Sequence, residues 1–400
     1  MTRPIPAPER LSQGEFIALI AMLFATIALS IDAMLPALPE IAQTLTPDAP
    51  NRAQLVLTSF VFGMGLGTLV AGPLSDAFGR KPVILFGSAL YCAAALACYF
   101  ASSLELLLVA RVVQGIGSAG PRTVSMALMR DLFQGREMAR IMSFAMMVFT
   151  MVPALAPLMG QGVIALSDWQ TIFLVYIVFA AITMVWLGLR QPETLPPPAR
   201  RPLSVRALAA ATRELFSHRV VLISILCQSL TLGALFSMLS SIQGIFDLRF
   251  DRADQFPLWF GVIAVLSAFG SILNAKVVVK VGMRRMVTAS YAAVLALTLL
   301  HLALVATGLM PETLAFAAFV AWGVAMFGMM GLTIGNLNAL AMEPVGHIAG
   351  LAASVISAIA TVASVLLAIP VGQAFDGTAL PLLAGVSVFI AASLLLMRRA

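Results

Sequence analysis

The chain has 400 residues, of which 60% are hydrophobic and 10% charged, with a formal net charge of +6. Soluble chains carry about 25% charged residues, and one aqueous core cannot hide so many apolar runs, so the chain is read as an all-α polytopic membrane protein. The excess of positive charge is accounted for by the positions of the basic residues, and a nucleic-acid partner is not needed to explain it.

Runs long enough to cross a hydrocarbon layer of roughly 30 Å are predicted near 15–38, 54–76, 83–101, 104–128, 140–164, 170–189, 219–245, 256–279, 286–308, 312–341, 347–371 and 379–397. That makes twelve spans. The first is longer than a signal-peptide core and continues through Asp32 and "LPALP", so it is expected to be retained.

Between spans 6 and 7 lies the longest polar connection, "RQPETLPPPARRPLSVRALAAATRELFSHR". Its prolines stop a helix, and "VRALAAATRELF" reads as a short basic amphipathic helix on the membrane surface. The expected organisation is a six-helix bundle over 1–190, a linker over 191–218 and a second six-helix bundle over 219–400. "SDAFGRKPVILFG" after span 2 returns weakly as "VKVGMRRMVTAS" after span 8, with Gly79 matching Gly282, as parallel repeats would produce.

Orientation follows from Lys and Arg, which accumulate in cytoplasmic loops. With both termini inside, nineteen of the 24 basic residues fall on the cytoplasmic side and three (Arg52, Arg249 and Arg252) outside. Arg111 and Arg122 lie within span 4. The expected location is a bacterial inner membrane, with both termini cytoplasmic.

Cys92, Cys98 and Cys227 sit in apolar spans and give no disulfide framework. His218, His301 and His347 are scattered without a second ligand at metal spacing, so neither a metal nor a cofactor is expected.

A charged side chain at mid-helix costs roughly 2.5–3.5 kcal/mol, so an ion there faces a bundle interior or water and has a partner. Asp32 is the one acid deep in a span. It and Arg111 lie at similar depth, about six and seven residues inside the outer ends of antiparallel spans 1 and 4, and are expected to share a cavity. Two readings stand: a static ion pair that orders the two helices, or a carboxyl that exchanges a proton while Arg111 tunes it as the surroundings alternate.

Arg122 is eleven residues beyond Arg111, on nearly the same helical face, with Gly115 and Ser118 between them and Gln114 at the edge. This polar stripe is expected to line the cavity. Gly120-Pro121 is expected to kink the helix. Arg122 is either a substrate contact or a side chain that snorkels to the surface.

Several motifs carry a family resemblance. "GPLSDAFGRKP" (Gly72 to Pro82) is similar to the signature between helices 2 and 3 of the major facilitator superfamily, and "RVVQGIG" to the helix 4 signature of its proton-coupled drug antiporters. "SIDAMLPALP", "MRDLF", "VPALAPLMGQ" and "PETLP" together resemble its bicyclomycin-resistance and chloramphenicol-exporter branch.

The resemblance implies the major facilitator fold, with twelve transmembrane helices in two six-helix bundles, and proton-coupled efflux by alternating access. It implies that Asp76 closes an inner gate against the start of helix 11 near Gly346 to Gly350, with Gly79, Arg80, Lys81, Pro157 and Gly160 as further gating positions. Two features depart from the pattern: Gln161 replaces a packing glycine, and Val279 stands where a second-half match to Asp76 would be.

Cavity candidates are Arg122, Gln114, Ser118, Gln161, Gln228, Gln243, Asn336 and Asn338, with scattered methionines as an adaptable wall. The expected partners are a small-molecule substrate, protons and membrane lipid, around a monomer. The reading is export of small amphipathic drug-like compounds of chloramphenicol or bicyclomycin type; the alternatives are export of an endogenous metabolite, or an uptake symporter. A membrane enzyme is disfavoured, because no span carries a paired nucleophile and base.

Overall fold

The computed structural model describes residues 11–399, apart from the side chains at 136, 139, 143, 148–150, 205 and 207. Arg3, Arg10 and the Arg136 side chain, which entered the charge count, lie outside the described residues. The regular structure described is helical: α1 (Gln13–Asp32), α2 (Leu38–Leu45), α3 (Leu55–Phe78), α4 (Arg80–Tyr99), α5 (Leu104–Leu132), α6 (Gly135–Leu166), α7 (Thr171–Arg190), α8 (Val205–Ser217), α9 (Arg219–Gly244), α10 (Phe256–Val281), α11 (Met283–Ala306), α12 (Glu312–Met342), α13 (Ala349–Gln373) and α14 (Leu380–Arg398). Short 3-10 turns join several of them.

Ten stretches are long and apolar enough to cross a membrane, and one of these, Glu312–Gln373, contains both α12 and α13. Helix α5 falls outside those ten although it has 29 residues, because its charged residues and its glycines, serines and proline lower its hydropathy. Counting both corrections gives twelve spanning helices, with α2 extending the first and α8 lying outside the set. The first span runs further than its predicted end at 38. It breaks after Asp32, passes through the 3-10 turn Leu35–Ala37 and continues in α2 to Leu45. Pro36 and Pro39 explain the break, since neither can donate the backbone bond that a continuous α-helix needs.

Helix packing repeats. In the first six spans α1 packs on α6, α3 on α5 and α4 on α7; in the last six α9 packs on α13, α10 on α12 and α11 on α14. Between the two sets, α3 lies along α13 and α6 along α10. Small residues allow this close packing, as helices in lipid require. A methyl on Gly63 would collide with the Val112 carbonyl, and one on Gly115 with the Phe60 carbonyl.

The two ends of the bundle differ. One, the terminal face, holds the start of α1, the end of α14, α8 and the α3–α4 and α10–α11 turns. At the opposite, far face, the Asn51 amide donates to the Gln373 carbonyl (3.1 Å) and the Phe375 carbonyl (2.7 Å), and Gln373 Nε2 donates to the Asn51 carbonyl (2.8 Å). These bonds tie the α2–α3 connection to the end of α13 and close the far face on that side.

Candidate functional site

The break after Asp32 has a chemical consequence. The last carbonyls of a helix lack intrahelical partners and form the negative end of its dipole. Arg111, fully buried on α5, supplies one such donor, with Nη2 donating to the Ser30 carbonyl (3.0 Å); its Nε donates to the Val56 carbonyl at the start of α3 (3.0 Å) and its Nη1 to Gln114 Oε1 (2.7 Å). Its guanidinium lies 4.4 Å from the Phe60 ring centre, close enough for a cation–π contact. Ser30 is a hub. Its hydroxyl bonds Tyr91 Oη (2.5 Å), and its carbonyl also accepts from Tyr176 Oη (3.5 Å).

Asp32 is buried, at 6% exposure, two residues beyond this hub. The static ion pair with Arg111 is not formed: among the described residues no cation lies within ion-pair distance of the Asp32 carboxylate, and the donors of Arg111 are directed to Ser30, Val56 and Gln114. The two side chains share a neighbourhood through Ser30. Gly160 of α6 packs onto the same turn, where a methyl would collide with the Ala33 carbonyl; Pro157 is buried one turn earlier.

The polar stripe of α5 is divided. Gly115 is pressed against α3, and Ser118, fully buried, bonds back to the Gly115 carbonyl (2.7 Å), so this part of the stripe forms a helix seam and does not line a cavity. Gly117 and Gly120 pack on α4, and α5 stays helical past Pro121, where the Ser125 hydroxyl bonds the Pro121 carbonyl. Arg122 differs from its neighbours. It is solvent-accessible despite its depth in the protein, with Nη1 3.4 Å from Met64 Sδ.

The remaining candidates separate by depth. Gln228 of α9 is buried, and its Nε2 has no partner among the described residues; the same holds for Gln243 Oε1 and the Ser240 hydroxyl, nearer the far face. Gln161 sits near the far end of α6, where Nε2 donates to the Asp254 carbonyl (3.3 Å) and ties α6 to the loop before α10. Asn336 spans from α12 to α10, with Nδ2 2.7 Å from Asn274 Oδ1, and Asn338 is half-buried.

At the terminal face, Gly79 adopts φ +106° and ψ 157° to turn α3 into α4, a conformation that favours glycine. Arg80, mostly buried, then reaches Asp76 (2.5 Å), Asp131 (3.0 Å) and Ser75 Oγ (2.7 Å). The Lys81 ammonium donates to the Gly188 carbonyl (2.7 Å). Glu193 of the "PETLP" segment caps α4, with its carboxylate accepting from the backbone N–H groups of Arg80 (3.0 Å) and Lys81 (3.1 Å). Asp76 lines a cavity of about 260 Å³ together with Gly350, Leu351 and Ser354 of α13. Its carboxylate accepts from Arg80, and among the described residues no hydrogen bond joins it to α13.

Sequence reasoning missed Ser30, Tyr91, Tyr176 and Glu193. Ser30 lies within the quoted "SIDAMLPALP" and Glu193 within "PETLP", so both motifs were visible while the jobs of these residues were not.

The Major Facilitator Superfamily description matches residues 18–397. The chain is 30% identical to the bicyclomycin resistance protein homolog of Haemophilus influenzae, over 92% of this chain and 91% of that one. It is 33% identical to a chloramphenicol resistance protein of Pseudomonas aeruginosa over 41% of this chain and 39% of that one. In shape it resembles a D-xylose-proton symporter, with a TM-score of 0.75, 15% identity and 95% of each chain covered. With twelve spanning helices, a repeated packing order and a match across nearly its whole length, the chain belongs to the major facilitator superfamily, as a multi-pass membrane transporter and not an enzyme.

Proposed function

We propose that this transporter exports small amphipathic drug-like compounds in exchange for protons, with Asp32 as the coupling carboxyl. The observation that carries the reading is the burial of Asp32 at the break of α1 without a counter-ion among the described residues. A carboxyl held this way has no fixed charge to balance it, so its protonation can follow whichever side of the membrane it is open to. Arg111 stays in place on the Ser30 carbonyl and supplies a constant positive field nearby.

The terminal face is the cytoplasmic one in this reading, because the basic loops lie there, and the membrane is a bacterial inner membrane. With the far face closed, substrate reaches the interior from the cytoplasm, where Arg122 is accessible and Gln228 offers an unpaired amide. The far-face bonds of Asn51 and Gln161 then break as the transporter opens outward, and Asp76, Arg80 and Lys81 act at the inner gate. The two bundles, divided at the linker over 191–218, rock against each other as a monomer.

The test is proton flux in sealed vesicles after addition of chloramphenicol-like or bicyclomycin-like compounds. Wild type should release protons on substrate addition, and Asp32→Asn should abolish the release while substrate binding persists. Unchanged flux in the variant would remove Asp32 from the coupling role. Substrate accumulation in the direction of proton entry would replace export with uptake.

A further inference from the structure

Helix α8 docks on the bundle along one face. It buries Ala211 and Leu215 against the α9 and α13 side, and Glu214 pairs with His347 (3.0 Å) in the α12–α13 connection. Docked in this way, it leaves an open apolar groove of about 480 Å³ between itself, α3 and α13, walled by Leu69, Leu208, Ala209, Val355 and Ile359, with Arg213 at its edge.

Two features say what chemistry fills it. First, Arg206 and Arg213 are seven residues apart, which on a helix returns to within roughly 20° of the same direction. Both are exposed, and neither has a hydrogen bond or ion pair among the described residues. Second, the apolar wall continues away from the arginines: Leu66, one turn beyond Leu69, is 40% exposed, and Leu366, two turns beyond Ile359, is 60% exposed. The groove therefore leads from two unpaired cations into the hydrocarbon-facing seam between α3 and α13.

We propose that this groove binds one anionic phospholipid, with its headgroup phosphate on Arg206 and Arg213 and one acyl chain along the α3–α13 seam. A cationic rim over an apolar track matches a lipid that combines net negative charge with a hydrocarbon tail. A zwitterionic lipid fits the track but carries no net charge for the rim. Because Leu69 belongs to the first bundle and Leu208, Val355 and Ile359 to the second side of the seam, the bound chain touches both and favours the arrangement in which they adjoin.

The experiment is native mass spectrometry of the full chain in detergent, titrated separately with phosphatidylglycerol and phosphatidylethanolamine of identical acyl chains. Wild type should retain one phosphatidylglycerol with at least a tenfold preference. Arg206→Gln with Arg213→Gln should remove that preference. Ala209→Trp, which keeps both charges but fills the groove, should also lose the bound phosphatidylglycerol. Arg284→Gln with Arg285→Gln, a basic pair elsewhere on the same face, should retain it. Equal loss in the Arg284/Arg285 variant would reduce the effect to general surface charge and overturn the site. Retention in Ala209→Trp would overturn the acyl-chain groove, and retention in the Arg206/Arg213 variant would overturn the headgroup assignment.

Discussion

Ser30 on α1 bonds Tyr91 on α4 at 2.5 Å; Thr231 on α9 bonds Tyr291 on α11 at 2.6 Å. The two pairs occupy equivalent places in the repeated packing order, yet their surroundings diverge. Beside the first, the Ser30 carbonyl carries Arg111, and Asp32 follows two residues later. In the second half, fully buried Trp322 of α12 bonds Thr298 (3.0 Å) and stacks near Phe319. The terminal turns repeat the contrast. Gly79 and Gly282 have similar backbones, φ +106° and +86°, but Arg80 sits among Asp76, Asp131 and Ser75, whereas Arg284 and Arg285 have no ion pair among the described residues. A duplicated frame carries charge in one half and mainly shape in the other.

Substitutions can test that asymmetry. The largest effect is expected at Arg111→Lys, because an ammonium cannot direct donors to Ser30, Val56 and Gln114 at once as a guanidinium does. Vesicle transport should fall at least about tenfold, with a stability loss of about 2 kcal/mol for the charged hydrogen bonds given up. Full transport by this variant would mean that the first half needs only a positive charge there and no fixed geometry.

A smaller contrast is expected at the turns. Arg80→Gln leaves Asp76 and Asp131 without their cation and should destabilise by about 1–3 kcal/mol, the partial exposure of the cluster keeping it below a fully buried pair. Arg284→Gln should stay within about 0.5 kcal/mol of wild type. Thermal melting of both variants in one detergent checks this, and equal shifts would erase the distinction between the two turns.

The finest comparison is Tyr91→Phe against Tyr291→Phe. Each removes one buried hydroxyl bond and should cost about 1 kcal/mol. Transport should drop by about threefold in Tyr91→Phe alone, since only that bond supports the hub under Arg111. Equal transport losses would place the second pair in the working machinery too.

Much of the fold was legible in the sequence because hydrocarbon thickness imposes run length, and the prolines of "LPALP" marked the neighbourhood of the break. The role of Ser30 was not legible, because its working atom is a main-chain carbonyl freed by the end of a helix, which no side-chain pattern displays. Ser118 misled for a related reason: a hydroxyl looks like a cavity group, but it satisfied itself on the Gly115 carbonyl inside a glycine seam. Glu193 acts on backbone N–H groups 112 and 113 residues away, a relation that spacing along the chain cannot reveal. The tyrosine pairs repeat at offsets near 200 and the glycine turns at 203, so the duplication does not stay in one register along the sequence.

The strap that follows α7 also sets a mechanical limit. Glu193 fastens its beginning to α4, and the Arg201 N–H bonds the Asp76 carbonyl (2.9 Å), while α8 from Val205 onward is docked beside α13. Of the long connection, only residues 202–204 are left between the two anchored ends. Fully extended, the four steps from Arg201 to Val205 reach about 14 Å. The connection is therefore a short leash: on this face the two anchor points can lie no further apart than that unless one anchorage lets go.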